Sequence, residues 1–210
     1  METHQLDPQQ VRVLGALVEK QALTPDAYPM TLNGLAGACN QLTSREPVLQ
    51  LPEAEISAAL DALIAAKLVA ERLPAGSRVA KYEHRLNYAW NIDGARLAAL
   101  CLLMLRGPQT AAEIRTRSGR IYAFSGVDEV ETALNALADK YPPLVMKLER
   151  QPGEREARWC HLLSGEPQIL PAQPACEVID VGLTGRVAAL EAEVAALKAM
   201  VLALEQRLNG

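Results

Sequence analysis

Basic residues gather at three places in this 210-residue sequence, and grouped positive charges of this kind can hold the phosphate backbone of a nucleic acid. One group follows a short predicted helix, and the other two flank predicted hairpin turns. The alternative is that they are solvated side chains paired with nearby carboxylates such as Glu71 and Glu154. The candidate nucleic-acid-binding residues are Arg115, Arg117, Arg120, Arg78, Lys81, Arg155 and Arg158.

The overall charge argues against a strongly basic nucleic-acid binder. The chain has 21 Lys and Arg against 25 Asp and Glu, a formal net charge of −4. By segment, residues 1–86 carry 8 basic and 10 acidic side chains, 87–165 carry 10 and 9, and 166–210 carry 3 and 6. No segment has the basic excess of a phosphate-dominated binder, so any DNA contact is expected to be weak and salt-sensitive.

A polar loop forms a second candidate site. Asn40, Gln41, Ser44 and Arg45 concentrate hydrogen-bonding groups just before Pro47. Polar loops with an unusual composition often carry function, so these four residues are a possible functional loop. The alternative is that Asn40 and Ser44 only cap helix ends and turns.

Catalytic motifs are not found in the sequence. There is no glycine-rich phosphate loop and no nucleophile elbow. The acidic pairs Glu53 with Glu55 and Glu129 with Glu131 are explained by the helix dipole, which favours carboxylates in the first turn. We therefore expect a protein that is not an enzyme and that uses no cofactor.

The cysteines and histidines do not form a metal-binding pattern. Four cysteines are widely separated, with no Cys-x-x-Cys, which indicates reduced thiols. His84 and His161 occupy equivalent places in two repeated segments, and no further ligands lie near either of them. No metal site is expected.

The elements that position these residues come from an internal duplication. The sequence of residues 56–63 is similar to that of 130–137, and Tyr82-Glu83-His84 corresponds to Trp159-Cys160-His161. The offsets are 74 and 77 residues, which is too long for a solenoid repeat and right for a small domain. The chain is therefore predicted to contain two copies of one domain.

Each copy is predicted to be three helices followed by a two-stranded hairpin. In copy one the third helix spans 52–67 and the strands span 68–73 and 79–86, and the corresponding segments of copy two are 127–140, 144–150 and 157–163. This order predicts a mainly α fold with small β-hairpins, in which two winged-helix domains follow in tandem. Their expected bounds are 1–86 and 94–165, joined by an interdomain linker at 87–93.

The third helix of a winged helix normally enters the DNA major groove, but neither third helix here has a suitable surface. Outside their inward positions both helices carry mostly alanine and carboxylates, which phosphates repel. Only Asn135 is a plausible base contact, because amide side chains can read adenine.

The C-terminal part changes character twice. Residues 166–182 contain Pro167, Pro171 and Pro174, which is typical of an extended linker. Residues 183–210 follow a strict heptad of leucine and valine, which predicts a parallel coiled-coil homodimer. The alternative is an amphipathic helix folded back on its own chain. The dimerisation residues are Leu183, Val187, Leu190, Val194, Leu197, Val201, Leu204 and Leu208.

The motif Asn40-Gln41…Arg45-Glu46-Pro47-Val48 and the stretch 77–85 resemble the YceH-like family of bacterial proteins, over about residues 5–165. The resemblance implies two tandem winged-helix domains in a bacterial cytoplasm, with no established activity. The start of the chain has no signal-peptide pattern, and the longest apolar run, 97–105, is too short to span a bilayer. A cytoplasmic protein without a membrane partner is expected.

Two functions of different classes fit these patterns. The first is a non-catalytic, dimeric, DNA-associated regulator that touches the phosphate backbone through its hairpins and the Arg115, Arg117 and Arg120 group. The second is a protein–protein interaction adaptor resembling the tandem winged-helix segregation and condensation protein B, with Ala-rich acidic helix faces as its contact surfaces. Charge favours the adaptor, whereas the frequency of DNA binding among winged helices favours the regulator.

Overall fold

The computed structural model describes residues 5–74, 76, 78–150 and 153–166. The predicted coiled coil at 183–210, with all its dimerisation residues, and nearly all of the predicted linker at 166–182 lie outside the described residues. Within them the chain forms helices and short strands, confirming a mainly α fold with small antiparallel hairpins. In chain order these are α1 Pro8–Leu23, α2 Leu32–Cys39, α3 Glu53–Ala65, β1 Val69–Arg72, β2 Lys81–His84, α4 Leu86–Ala89, α5 Gly94–Arg106, α6 Ala111–Ser118, α7 Val127–Ala138, β3 Val145–Lys147 and β4 Trp159–His161.

Side-chain caps explain where several helices begin. Asp7 accepts a hydrogen bond from the backbone N–H of Gln10 and forms a capping box ahead of α1. Thr31 and Thr110 start the second helix of each copy in the same way, and Thr110 forms a capping box with Glu113. The repeated sequence therefore repeats its local start signals.

The two hairpins have the same construction. Strand β1 pairs antiparallel with β2, and β3 pairs antiparallel with β4. Each returning strand also bonds to one residue ahead of the second helix, Met30 with Tyr82 and Gln109 with Trp159. The strands are shorter than the sequence predicted, since the ladders reach only four and three residue pairs before the chains diverge into the turns.

The core is built almost entirely from aliphatic side chains. Leu14 and Leu17 of α1, Leu60 and Leu63 of α3, and Leu100 of α5 are all within 1 % of complete burial. The apolar positions of the third helices, spaced three and four residues apart, face inward in both copies.

The two copies pack against each other through their first helices, α1 and α5. The helices approach so closely at Gly15 that a Cβ atom there would lie 3.0 Å from Leu105 Cδ2 and 3.1 Å from Met104 Cβ. Both helices are consequently buried over their central turns. The segment 87–93 between the copies includes most of α4 and the fully buried Ile92.

Candidate binding surfaces

The outward face of α3 is small and acidic. Its exposed side chains alternate between alanine and carboxylate along three turns of the helix. They are Glu53, Ala54, Glu55, Ala58, Asp61, Ala62 and Ala65. This surface repels phosphate and lets another backbone approach closely.

The outward face of α7 is similar and also carries the predicted base contact. Asp128, Thr132, Asn135, Ala136 and Asp139 are exposed there. Asn135 lies on this face between Asp128 at the N-terminal end of the helix and Asp139 just after its C-terminal end. The electrostatic environment of its amide is therefore negative.

Two of the predicted basic residues in copy two belong to one network with carboxylates. Arg158 Nη1 donates to Glu113 Oε2 at 2.9 Å, and its Nε donates to Glu154 Oε1 at 2.9 Å. Arg117 lies 3.7 Å from the same Glu113 and donates to Gln109 Oε1 at 2.8 Å. Hydrogen bonds with Glu154 and the charge of Glu113 outweigh partial burial and raise the pKa of Arg158. The network ties the second hairpin to α6.

The other predicted basic residues are more exposed. Arg115, Arg120 and Arg155 are exposed, and no ion pair engages them within the part of the chain that the structure describes. In copy one, Arg78 is exposed and Lys81 is half-buried at the start of β2. Of the seven predicted basic residues, the structure brings Arg117 and Arg158 together at Glu113. It leaves Arg115, Arg120 and Arg155 exposed in copy two, and Arg78 and Lys81 belong to copy one.

Arg45 of the polar loop is fully buried rather than exposed. Its guanidinium forms a two-point ion pair with Glu19 of α1, with Nη2–Oε2 at 2.6 Å and Nη1–Oε1 at 3.1 Å. Nε and Nη2 also donate to the carbonyl of Ala38 at the end of α2. Arg45 thus joins α1, α2 and the loop from inside the core.

The neighbouring polar residues also hold the loop in place. The Asn40 side chain donates to the carbonyl of Leu51 and accepts from its N–H, both at 2.8 Å. Gln41 Oε1 accepts from Lys20 Nζ at 3.0 Å. Ser44 has a positive φ of 61° and accepts from Arg106 Nη2 of copy two at 2.7 Å. These contacts agree with the structural alternative for this loop.

The loop also connects the two copies. Besides the Ser44–Arg106 bond, the N–H of Glu46 donates to the carbonyl of Leu105 at 2.8 Å. On the other side Arg12 of α1 donates to the carbonyls of Cys39 and Pro47 at 3.2 and 2.6 Å. The loop is therefore held between α1 of copy one and the end of α5 in copy two.

Electrostatics within this buried cluster follow from burial and pairing. Burial disfavours the charged form of Glu19, but the hydrogen bonds and charge of Arg45 outweigh it, and the pKa of Glu19 lies below its ordinary value. Burial, followed by repulsion from Arg45, lowers the pKa of Arg12. Burial raises the pKa of the Cys39 thiol to about 12, so this thiol is unreactive.

Sequence reasoning identified the loop but missed Glu19 and Arg12, the α1 residues that hold it. Arg12 and Glu19 stand seven residues apart in α1, a spacing that places both on one face of a helix. Both are buried among apolar neighbours. The sequence signal that could have identified Arg12 and Glu19 is a pair of opposite charges on the inward face of a helix, because buried charges require buried partners.

His84 has the character of a core histidine. It is 5 % exposed, its Nε2 lies 2.7 Å from Gln21 Oε1, and its Nδ1 accepts from the N–H of Leu86. Burial lowers its pKa to about 4 against a smaller opposing effect of Glu83, so the ring is neutral at physiological pH. Among the described residues no group of three or more His, Cys, Asp and Glu side chains could hold a metal ion.

The family of the chain follows from comparison with known proteins. A family model described as "Protein of unknown function, DUF480" matches residues 6–154, which is more than half of the chain. The chain belongs to the DUF480 family. This confirms the resemblance to bacterial YceH-like proteins, whose naming is consistent with DUF480.

Curated relatives of this DUF480 protein are similar over most of their length. A UPF0502 protein of Chromobacterium violaceum is 89% identical over 210 residues, covering 100% of this chain and 95% of the relative. A UPF0502 protein of Janthinobacterium sp. is 51% identical over 202 residues, covering 95% of this chain and 86% of the relative. That of Shewanella loihica is 49% identical over 200 residues, covering 90% and 93%. The names of these three relatives assign them no activity.

The helices of this DUF480 protein are too short or too polar to span a bilayer, as far as the structure describes them.

Proposed function

We propose that this DUF480 protein is a non-catalytic protein-binding module whose two repeat units are winged helices. Three helices followed by a hairpin occur twice along the chain, which supports the winged-helix interpretation. In each copy one residue ahead of the second helix also bridges to the returning strand of the hairpin. In this proposal the partner contacts the exposed faces of the third helices, α3 and α7.

The observation that carries the proposal is the composition of the α3 face. Its exposed alanines, among them Ala58 and Ala62, present little side-chain bulk, and carboxylates such as Glu55 and Asp61 stand beside them. A DNA-reading helix needs Arg, Lys, Asn or Gln in these places. An acidic face with small residues instead suits a basic surface on another protein.

A second candidate, weak binding to the DNA backbone, is favoured by the exposure of Arg115, Arg120 and Arg155. Within the described residues these three guanidiniums have no acidic partner. Arg117 and Arg158 support this candidate less, since both share the Glu113 carboxylate.

Binding to random duplex DNA separates the two candidates. We expect fluorescence anisotropy to show no binding at low or at moderate salt, because the chain has a net charge of −4 and acidic third helices. Binding at low salt that weakens at moderate salt and disappears after charge reversal at Arg115 and Arg120 would replace the protein-binding proposal with the DNA one. The matched control is charge reversal at Arg96, which is already paired with Asp93.

The partner surface is tested by quantitative affinity purification from the native bacterium. Wild type is compared with a variant carrying Ala62→Arg and Asp61→Lys, which changes the exposed face of α3 without touching the core. We expect the variant to lose a specific partner that wild type retains. Equal recovery of every protein by wild type and variant would contradict the proposal.

A further inference from the structure

The outer edge of β1 has unpaired backbone groups among the described residues. Tyr82 of β2 exchanges two backbone hydrogen bonds with Met30, at 3.1 and 2.7 Å. Backbone groups point to alternate sides along a strand, so those of Lys81 and Glu83 point toward β1. The register places these two residues opposite Arg72 and Ala70.

The same alternation applies to β1. Ala70 and Arg72 direct their N–H and C=O groups toward β2, whereas Val69 and Glu71 direct theirs away from the sheet. No backbone group of a described residue pairs with those of Val69 or Glu71. Such an edge can pair with an added strand, because every unpaired N–H and C=O is satisfied by an extended peptide.

A hollow of about 510 Å³ lies beside this edge. Ile64, Val69 and Tyr88 give it apolar walls, and Lys67 and Arg85 give it positive charge. Tyr88 is 80 % exposed, and the Arg85 guanidinium lies 4.9 Å from the centre of its ring. A side chain of an added strand next to Ala70 would enter the hollow, since alternate residues share one face of a sheet.

The charge around the hollow favours an acidic occupant. Ala70, Arg72, Glu83 and Arg85 share one face of the hairpin, where Glu83 binds both arginines at 3.0 and 3.2 Å. The described residues that line the hollow include two cations, Lys67 and Arg85, and no carboxylate. The other nearby carboxylate, Glu71, belongs to the opposite face of β1.

Copy two does not offer the same surface. Lys147 of β3 corresponds to an outward-facing position, and its ammonium group lies 3.4 Å from Glu131 and 5.2 Å from the centre of the Trp159 ring. A lysine held at the edge opposes strand addition. The surface at β1 is therefore a property of the first copy.

We infer that β1 binds an extended acidic segment of a partner protein as an added strand. Backbone hydrogen bonds to the exposed Glu71 would supply the pairing, and Val69, which is 3 % exposed, would form part of the wall beside it. An acidic side chain would lie near Lys67 and Arg85, and an apolar one would contact Ile64 and Tyr88. This site is separate from the α3 and α7 faces of the proposed function and does not depend on them.

The test selects short random peptides against the full-length protein and measures the affinity of selected peptides by fluorescence anisotropy. We expect enrichment of peptides in which Asp or Glu alternates with apolar residues. Glu71→Pro removes one outward N–H and leaves the ladder to β2 intact, so it should weaken binding by about tenfold. Glu71→Ala retains that N–H and serves as the matched control, with affinity within about twofold of wild type.

Charge and backbone are tested separately. Lys67→Glu should weaken binding severalfold, whereas Arg155→Glu, an equal charge reversal on the exposed second hairpin, should leave it unchanged. Amide hydrogen exchange of the wild-type protein should show new protection at Glu71 when peptide binds. Protection at Ala70 should not change, because its amide faces β2.

Four results would overturn the inference. The first is selection of peptides without an acidic preference. The second is a Glu71→Pro variant that binds as wild type does. The third, which holds even if that variant fails to fold, is peptide binding to wild type without added protection at Glu71. Loss of peptide binding only on substitution of α3 would also reject β1 as the site.

Discussion

Arg45 and Glu19 form a two-point ion pair inside the protein core, at 2.6 and 3.1 Å, although 26 residues separate them in sequence. The side chain of Arg45 is 0% exposed and that of Glu19 is 5% exposed. Because Arg45 also binds the carbonyl of Ala38, the pair determines how the polar loop meets α1 and α2.

Breaking this pair should destabilise the protein strongly. Replacing Arg45 with Met leaves the Glu19 carboxylate buried without its partner, at an expected loss of about 3–5 kcal/mol in the free energy of unfolding. Urea denaturation followed by circular dichroism measures the loss. Arg155→Ala, on the exposed second hairpin, is the control and should change stability by less than about 0.5 kcal/mol. A loss of similar size in both variants would contradict a buried structural role for Arg45.

The close approach of α1 and α5 can be tested at a single glycine. In Gly15→Ala the added Cβ would lie 3.0–3.1 Å from Leu105 and Met104, so we expect a loss of about 1–3 kcal/mol despite the better helix propensity of alanine. Gly37→Ala is the matched control in α2, where nothing lies within 4 Å of the added atom. It should stabilise the protein by about 0.5–1 kcal/mol. Thermal unfolding of both variants measures these changes in stability. An increase in stability in Gly15→Ala would refute tight packing between the copies.

The free energy of unfolding should decrease as the pH is lowered through a range set by the pKa values of the histidines. The folded pKa of His84, about 4, lies below its ordinary value of 6.5, so the unfolded state takes up the proton first as the pH falls. The contribution of neutral His84 to the free energy of unfolding is therefore fully present above about pH 6.5. It decreases by about 3 kcal/mol as the pH is lowered from 6.5 to 4. Glu19 contributes a further loss only below its ordinary pKa of 4.5.

Denaturation at a series of pH values checks this prediction in wild type and in His84→Gln. Burial also lowers the pKa of His161, so His161→Gln is measured in parallel. We expect His84→Gln to reduce the slope between pH 6.5 and 5. An unchanged slope in both variants would show that neither histidine is responsible.

Dimerisation through the heptad segment remains a prediction from sequence. Removal of residues 183–210 should convert a homodimer into a monomer in sedimentation experiments. Full-length protein with Leu190→Lys and Leu197→Lys should behave in the same way, because charge at these positions prevents apolar pairing. A truncated chain that stays dimeric would refute the assignment.

Local signals in the chain predicted the local structure well. Asp7 with Pro8 and Thr110 with Glu113 predict helix starts through capping, and the inward leucines of α3 predict its buried face. Strand lengths were overestimated, because apolar residues beside a hairpin also pack on the helices without joining the ladder. The exposed acidic face of α3 was likewise foreseen, since residues outside the apolar stripe of a helix face outward.

The role of the polar loop required the three-dimensional structure. Sequence singled out Asn40, Gln41, Ser44 and Arg45 by composition but could not provide Glu19 or Arg106 as their partners. A buried charge is satisfied by whichever group the fold brings near it, and that group can be distant in sequence.

The internal repeat predicted the duplication, and capping residues and apolar spacing predicted three helices and a hairpin in each copy, because helices and hairpins depend on neighbours a few residues apart. Tertiary packing decided that α1 meets α5, that Arg45 lies in the core, and that Val69 and Glu71 face away from the sheet. These features depend on contacts between distant segments, whose geometry is set only when the two copies share one packed core.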